Sequence, residues 1–252
     1  MRLRRLYPEP GEVTADAAVA GLRLDEHAPD GRPYVVGNMV ATADGRAAID
    51  GRAGPIGDEA DRAMFMRLRT QADCVMVGAG TLRAERYGHL VRDPELRAAR
   101  EAEGLEPEPL ACVLTRTLDL PWDTSLWTDP ASRVALYTSS PHNPPPSRAE
   151  VKVHRMAEAE LTVERVLRSL RADHDVRSVL CEGGPTLNRE LLEARVLDEL
   201  YLALEPKLVG GGDAPTIVGG PPFPQPDRLE LVSILEADGA LFLRYRVPRH
   251  EH

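Results

Sequence analysis

A chain of 252 residues, 42% hydrophobic and 28% charged, has enough apolar surface for one large α/β domain or two small ones. Its formal charge of −9 speaks against a nucleic-acid surface, which needs clustered positive charge. No run approaches the roughly 20 apolar residues of a membrane span, and the basic start Met1-Arg2-Leu3-Arg4-Arg5-Leu6 lacks the apolar stretch of a secretory signal.

Residues 1–32, punctuated by Pro8, Pro10, Gly11, Pro29 and Gly31, read as an irregular extension. Residues 34–40 are apolar and β-prone and lead into the turn signal Asp44-Gly45. Asp58 suits the N-cap of a helix over 59–71, whose Ala60, Met64, Phe65 and Leu68 recur at helical spacing. The run Cys74-Val75-Met76-Val77 reads as a strand ending in Gly78-Ala79-Gly80-Thr81, with a short helix near 80–86 after it. The charged stretch 93–108 reads as a mobile surface segment.

Strands are expected at 110–114, 133–138 and 151–155, with a four-proline loop at 139–147 and a helix at 160–172. A strand at 177–182 runs into a second glycine turn, Glu182-Gly183-Gly184-Pro185-Thr186-Leu187, that opens a helix to about residue 194. A strand at 198–204 precedes a glycine-rich loop at 209–215, and Asp238-Gly239 joins two last strands as a hairpin. Alternating strands and helices imply an α/β fold: a mostly parallel, mixed sheet with helices on both faces and an antiparallel C-terminal hairpin. Residues 33–247 read as a single domain and 248–252 as a disordered, inert tail.

Each glycine turn ends a strand and starts a helix, a geometry that offers backbone N–H groups and a helix dipole to an anion. Two such turns suggest one ligand with several phosphates, a dinucleotide, gripped from both. The plain alternative is that glycines simply end strands, and Gly78-Ala79-Gly80-Thr81-Leu82-Arg83 has arginine where a Rossmann fingerprint needs its third glycine. Pro185 fits a first helical turn because it lacks an N–H, and Thr186 can bond a phosphate oxygen. Glu182 stands at the carboxyl end of its strand, where ligands bind in open parallel sheets.

Other chemistries find no support. Only Lys152 and Lys207 among the 31 basic residues are lysine, and neither precedes Ser or Thr, so there is no Walker A lysine. The zinc-deaminase pattern and the G-x-S-x-G elbow are missing, and the seven histidines show no metal spacing. Cys74, Cys112 and Cys181 sit in apolar runs as small reduced core residues, which implies a cytoplasmic setting.

Taken together, Ala41-Thr42-Ala43-Asp44-Gly45, Leu68-Arg69-x-x-Ala72-Asp73, Val77-Gly78-Ala79-Gly80-Thr81, Glu182-Gly183-Gly184-Pro185-Thr186-Leu187 and Asp198-Glu199-Leu200 have a familiar order and spacing. The chain, from about Pro33 to Val247, resembles the reductase domain of the bacterial riboflavin-biosynthesis deaminase–reductase and its stand-alone relatives. The resemblance implies a dihydrofolate-reductase-like fold, NADPH as hydride donor and a homodimer. The implied substrate is a (di)amino-ribosylamino-pyrimidine 5′-phosphate, whose ribose is reduced to the ribityl chain.

Carried over, the coenzyme contacts fall on Ala41, Pro55, Thr81 and Glu85, with the backbone of Gly78, Ala79 and Gly80 and the segment Gly183, Gly184, Pro185, Thr186, Leu187. Thr115 and Arg116, or Arg83, would meet the adenosine 2′-phosphate. Substrate contacts fall on Ala53, Arg69, His89, Arg92 and Glu182, with Arg69 and Arg92 taking the sugar phosphate. Asp44 and Glu182 are the carboxylates nominated to support the cationic imine during hydride transfer. The chain departs from the family at Asn38 (lysine), Thr42 (serine), Pro55 (tryptophan) and Glu85-Arg86-Tyr87 (Asp-Asp-Pro). Those departures keep two alternatives open: a dihydrofolate or pterin reductase on the same scaffold, and a non-catalytic nucleotide-binding protein.

Overall fold

The computed structural model describes residues 1–212 and 214–248. The expected tail beyond residue 248 lies outside the described residues, as does Asp213 of the glycine-rich loop. The chain divides into two compact units, and the single domain expected at 33–247 takes in parts of both.

One unit comprises Arg23–Tyr34 and Leu68–Glu182. Its strands are β4 (Cys74–Gly78), β5 (Leu110–Thr115), β6 (Arg133–Thr138), β7 (Glu150–Arg155) and β8 (Ser178–Cys181). They lie in the order β8-β4-β5-β6-β7, and every pair is parallel. The reason is in the composition: Val75, Met76, Cys112, Val113, Ala135, Leu136, Val179 and Leu180 are all fully buried, the continuous apolar run of strands covered on both faces. The three cysteines are free and buried, as their apolar setting suggests. Asp73, just before β4, accepts from the backbone N–H groups of Arg177 and Ser178 and the Ser178 hydroxyl, which joins the starts of β4 and β8. The crossover from β7 to β8 is α6 (Val163–His174), with Val163, Val166, Leu167 and Leu170 buried at helical spacing and Thr162 as its N-cap.

The stretch expected to be mobile at 93–108 instead holds a helix, α4 (Pro94–Ala102). Asp93 caps it by accepting from the Glu95 N–H at 2.8 Å, and Pro94 occupies the first turn. Arg100 on this helix is fully buried, donating to the carbonyls of Arg69, Ala72 and Glu106. Those backbone bonds order a segment whose composition looks purely solvated.

The other unit comprises Met1–Leu22, Val35–Arg67 and the chain from Gly183 onward. Its sheet runs β2-β1-β10-β11-β9-β3, where β1 is Arg2–Tyr7, β2 Gly11–Thr14, β3 Tyr34–Thr42, β9 Glu199–Glu205, β10 Glu230–Ala237 and β11 Ala240–Arg246. β3 and β9 are parallel and the rest antiparallel. Residues 1–14 are therefore not irregular: Leu3, 2% exposed, is a buried anchor, and β1 pairs with β10 as well as with β2. The expected hairpin joins β10 and β11 through Asp238 and Gly239, whose φ values of 51° and 86° match the left-handed turn that Asp-Gly favours. Asp198 accepts the Val35 N–H at 2.9 Å, and Glu199 grips Arg244 with two bonds of 2.8 and 2.9 Å, so the Asp198-Glu199-Leu200 motif staples three strands. Helix α2 (Glu59–Arg69) starts at Asp58, whose carboxylate accepts the Asp61 N–H at 2.9 Å. Among the described residues no helix is long and apolar enough to cross a membrane.

One pair makes the fold pH-sensitive. His154 on β7 and His174 at the end of α6 share a 2.8 Å Nε2···Nε2 hydrogen bond, and His154 stacks on Tyr137. Burial lowers both pKa values below the ordinary 6.5. The unfolded chain thus binds protons here that the folded chain refuses, so this contribution is complete above about pH 6.5 and declines as pH falls below it. The expected outcome is a fall in Tm on the acid side of neutrality that His174→Asn flattens, read by thermal unfolding at a series of pH values.

Candidate active site

The candidate site residues of the parallel unit gather at the carboxyl edge of its sheet. β4 ends at Gly78 and β8 at Cys181 on neighbouring strands, with Met76 opposite Cys181 and the Glu182 N–H donating to the Met76 carbonyl at 2.9 Å. The second glycine turn follows Glu182 directly in the chain. Gly78 is the N-cap of α3 (Ala79–Glu85), and no side chain caps it. A Cβ on Gly80 would meet no atom within 4 Å, so the space beside Gly80 is open, with Thr81 half-buried next to it.

Glu182 and Arg69 form a buried, two-pronged ion pair. Nε and Nη2 of Arg69 donate to the two carboxylate oxygens at 2.6 and 2.7 Å, and the side chains are 8% and 1% exposed. Nη1 donates to the Leu90 carbonyl at 2.7 Å. The Tyr87 ring lies 5.3 Å from the guanidinium carbon. Burial and the Glu182 charge push the Tyr87 phenol well above its usual pKa, which keeps it neutral.

Both residues were expected at the substrate. The Arg69 guanidinium is engaged by Glu182 and the Leu90 carbonyl, and both Glu182 oxygens face Arg69. Tyr87, seen in the sequence only as a departure from the family, is the neighbour that completes the cluster; an aromatic standing where the pattern has proline was its one signal.

The rest of the substrate set divides. His89 places Nε2 at 3.1 Å from Asp129 and Nδ1 at 3.7 Å from Glu108, a doubly acidic setting that opposes a phosphate. Arg92 is exposed and pairs with no carboxylate among the described residues. Glu85 ends α3, half-buried. Arg83 donates to the Asp119 carbonyl at 2.8 Å, while Thr115 spends its hydroxyl on the Leu118 N–H at 3.1 Å, closing the turn after β5. Arg116, next to it, is exposed.

In the other unit Ala41 is buried in β3 opposite Leu204, Ala53 is half-buried and Pro55 exposed. Asp44 accepts from the Thr42 hydroxyl at 2.5 Å and from the N–H groups of Gly210 and Val209 at 2.7 and 3.3 Å. The Thr42 bond and then the Gly210 bond hold its pKa down at about 2, so Asp44 is an anion at any ordinary pH and no proton source. Helix α7 (Pro185–Glu193) is capped by Gly184 without a side-chain bond, with Pro185 in its first turn and Thr186 exposed. Gly183 has φ +81°, and a Cβ there would fall 3.0 Å from the Met39 sulfur, so this position admits only glycine. Leu187 is buried, and the Pro185 carbonyl accepts the Gly219 N–H at 3.0 Å.

A family model described as RibD C-terminal domain matches residues 33–243. The chain is 31% identical over 219 residues to the 2,5-diamino-6-ribosylamino-4(3H)-pyrimidinone 5′-phosphate reductase of Archaeoglobus fulgidus, covering 85% of this chain and 99% of that protein. It is 27% identical to the riboflavin biosynthesis protein RibD of Bacillus amyloliquefaciens, covering 77% of this chain and 51% of that protein. Among solved structures, a pyrimidine reductase-like protein from Corynebacterium diphtheriae superposes with a TM-score of 0.79 at 23% identity, over 94% of this chain and all of that one. A deaminase/reductase from Thermotoga maritima gives 0.70 at 24%, over 86% of this chain and 57% of that one.

Removing either partner of the buried pair strands a charge, which costs about 3–5 kcal/mol. Arg69→Ala and Glu182→Ala should each destabilise by roughly that much in urea unfolding, and the double variant by clearly less than their sum. Additive losses would mean the pair is not coupled.

Proposed function

The chain belongs to the RibD C-terminal domain family, and from that membership we propose that it is an NADPH-dependent reductase of riboflavin biosynthesis, converting the ribosyl group of a pyrimidine 5′-phosphate to ribityl. The observation that carries the reading is the match to the Archaeoglobus fulgidus reductase over 99% of that protein's length. That relative and one from Methanothermobacter thermautotrophicus, 30% identical, are both named for the 2,5-diamino compound, which favours it over the deaminated one as substrate. The same relatives disfavour the dihydrofolate or pterin alternative and the non-catalytic one. The reading extends to a cytoplasmic homodimer.

The coenzyme set is the one the resemblance implies, and two features support it: the uncapped start of α3 with open space over Gly80, and the uncapped start of α7 after Gly183 and Gly184. In the parallel unit Thr81 would meet the coenzyme and Arg116 its 2′-phosphate; Thr186 and Pro55 are contacts that the resemblance implies. Bound NADPH would supply the hydride; the protein's share is to place the acceptor carbon and keep water away.

Arg92 takes the sugar phosphate in this proposal, since it alone of the two nominated arginines is exposed. Arg69 and Glu182 become positioning residues: the pair holds the Leu90 carbonyl and thereby the backbone that carries His89 and Arg92. Asp44 remains a permanent negative charge, suited to supporting a cationic imine and unsuited to donating a proton.

Side-by-side turnover of the 2,5-diamino and 5-amino ribosylaminopyrimidine phosphates and dihydrofolate, followed by NADPH consumption, tests the reading. The 2,5-diamino compound should be fastest, and activity with dihydrofolate alone would overturn it. Arg92→Ala should raise KM for the phosphorylated substrate roughly tenfold, the order of one lost charge-assisted contact, with kcat little changed. Arg116→Ala should raise KM for NADPH and leave NADH unaffected; equal effects would remove Arg116 from the 2′-phosphate.

A further inference from the structure

The loop 53–57 is tied to the end of β9 by charged side chains that the proposed reaction does not use. The Asp58 N–H donates to Glu205 Oε1 at 3.3 Å, and Glu205, the last residue of β9, is 1% exposed. Lys207 Nζ donates to the Ile56 carbonyl and lies 3.7 Å from Glu205 Oε2. Ile56 itself is fully buried, and its N–H closes a turn on the Ala53 carbonyl at 2.8 Å. The third tie is Asp61 of α2, whose carboxylate lies where a side chain of residue 57 would be: a Cβ on Gly57 would fall 2.1 Å from Asp61 Oδ2. No hydrogen-bond donor among the described residues reaches that half-buried carboxylate. The charged groups facing it are Asp58 and Arg62 on its own helix, Glu205 from β9 and Lys207 from the turn beyond.

We propose that Asp61 is a positioning residue that keeps the 53–57 loop seated on the end of β9 while it carries a proton, and that loss of this proton loosens the loop. An ionised Asp61 would make a third carboxylate with Asp58 and Glu205 against Lys207 and Arg62, with no donor to solvate it. Burial, then Glu205, then Asp58 push its pKa up to about 7, inside the physiological range. Asp44, which accepts the N–H groups of Val209 and Gly210, stays charged throughout and adds no titration of its own over this range. The functional consequence rests on the reading of Ala53 and Pro55 as ligand contacts; the structural device does not.

The test is hydrogen exchange of the amides of residues 53–58 in the full chain without ligands, from about pH 5.5 to about pH 8.5, corrected for intrinsic exchange. Wild-type protection should fall with a midpoint near pH 7, and Asp61→Asn should hold it across the range. Protection that is flat in the wild type, or that falls identically in Asp61→Asn, overturns the proposal. In the same variants KM should rise on the alkaline side for the wild type alone, with kcat unchanged. Absence of any reductase activity would sink the functional reading and leave the exchange result to decide this one. Should Asp61→Asn fail to fold, carboxyl and amide NMR of the wild type decides: one shared midpoint for Asp61 and the Gly57 amide supports the clamp, and separate midpoints refute it.

Discussion

The buried pair of Arg69 and Glu182 is the constraint on which the carboxyl edge of the parallel unit depends. Removing two charges from water is expensive, and the cost is recovered only by good geometry with the remaining groups bonded. Here two short bonds join the pair, the Tyr87 ring lies against the guanidinium, and the third guanidinium nitrogen reaches the Leu90 carbonyl. Glu108 accepts the N–H groups of Leu90 and Val91 at 2.6 and 3.3 Å, and Arg97 donates to the Val91 carbonyl at 2.8 Å. Charged side chains therefore bond the amides and carbonyls of two consecutive loop residues. A backbone held this way needs no regular secondary structure to be definite, and it delivers His89 and Arg92 to fixed places.

Arginine performs this work throughout the unit. Arg100 lies one layer further in, gripping the carbonyls of Arg69 and Ala72, so the residue that carries the pair is itself fixed by a second buried cation. Its pKa is lowered to about 10 by burial, yet it stays charged at any pH the protein meets. The planar fork suits several carbonyls at once, which a lysine could not match. The abundance of arginine that reads as mere composition is, at Arg69, Arg97 and Arg100, the means by which irregular chain is ordered.

What was legible in the sequence follows from local physics. The buried parallel strands announced themselves as continuous apolar runs, α6 by its spacing, and the last hairpin by Asp238-Gly239. What was not legible depended on partners distant in sequence. Leu3 is buried because β1 pairs with β10, more than two hundred residues away. The segment 93–108 looked solvated because Arg100 and Glu108 are charged, although Asp93 followed by Pro94 is itself a helix-start signal. The pairing of Glu182 with Arg69 was not legible, since nothing local says that two charges 113 positions apart in sequence satisfy each other.

The same distinction separates the glycine turns from the side-chain cluster around Arg69 and Glu182. A strand-to-helix turn shaped by its backbone asks of the sequence only that glycine keep side chains out of the way, a demand visible at Gly183 with its φ of +81°. Binding through side chains asks for a particular chemistry at each position, and it tolerates replacement when a neighbour changes with it. Tyr87, where the family has proline, is such a case: its ring lies against the Arg69 guanidinium, so the substitution comes with its own partner. Turns written in glycine are thus legible as motifs, whereas side-chain pairs become readable only once the fold brings them together.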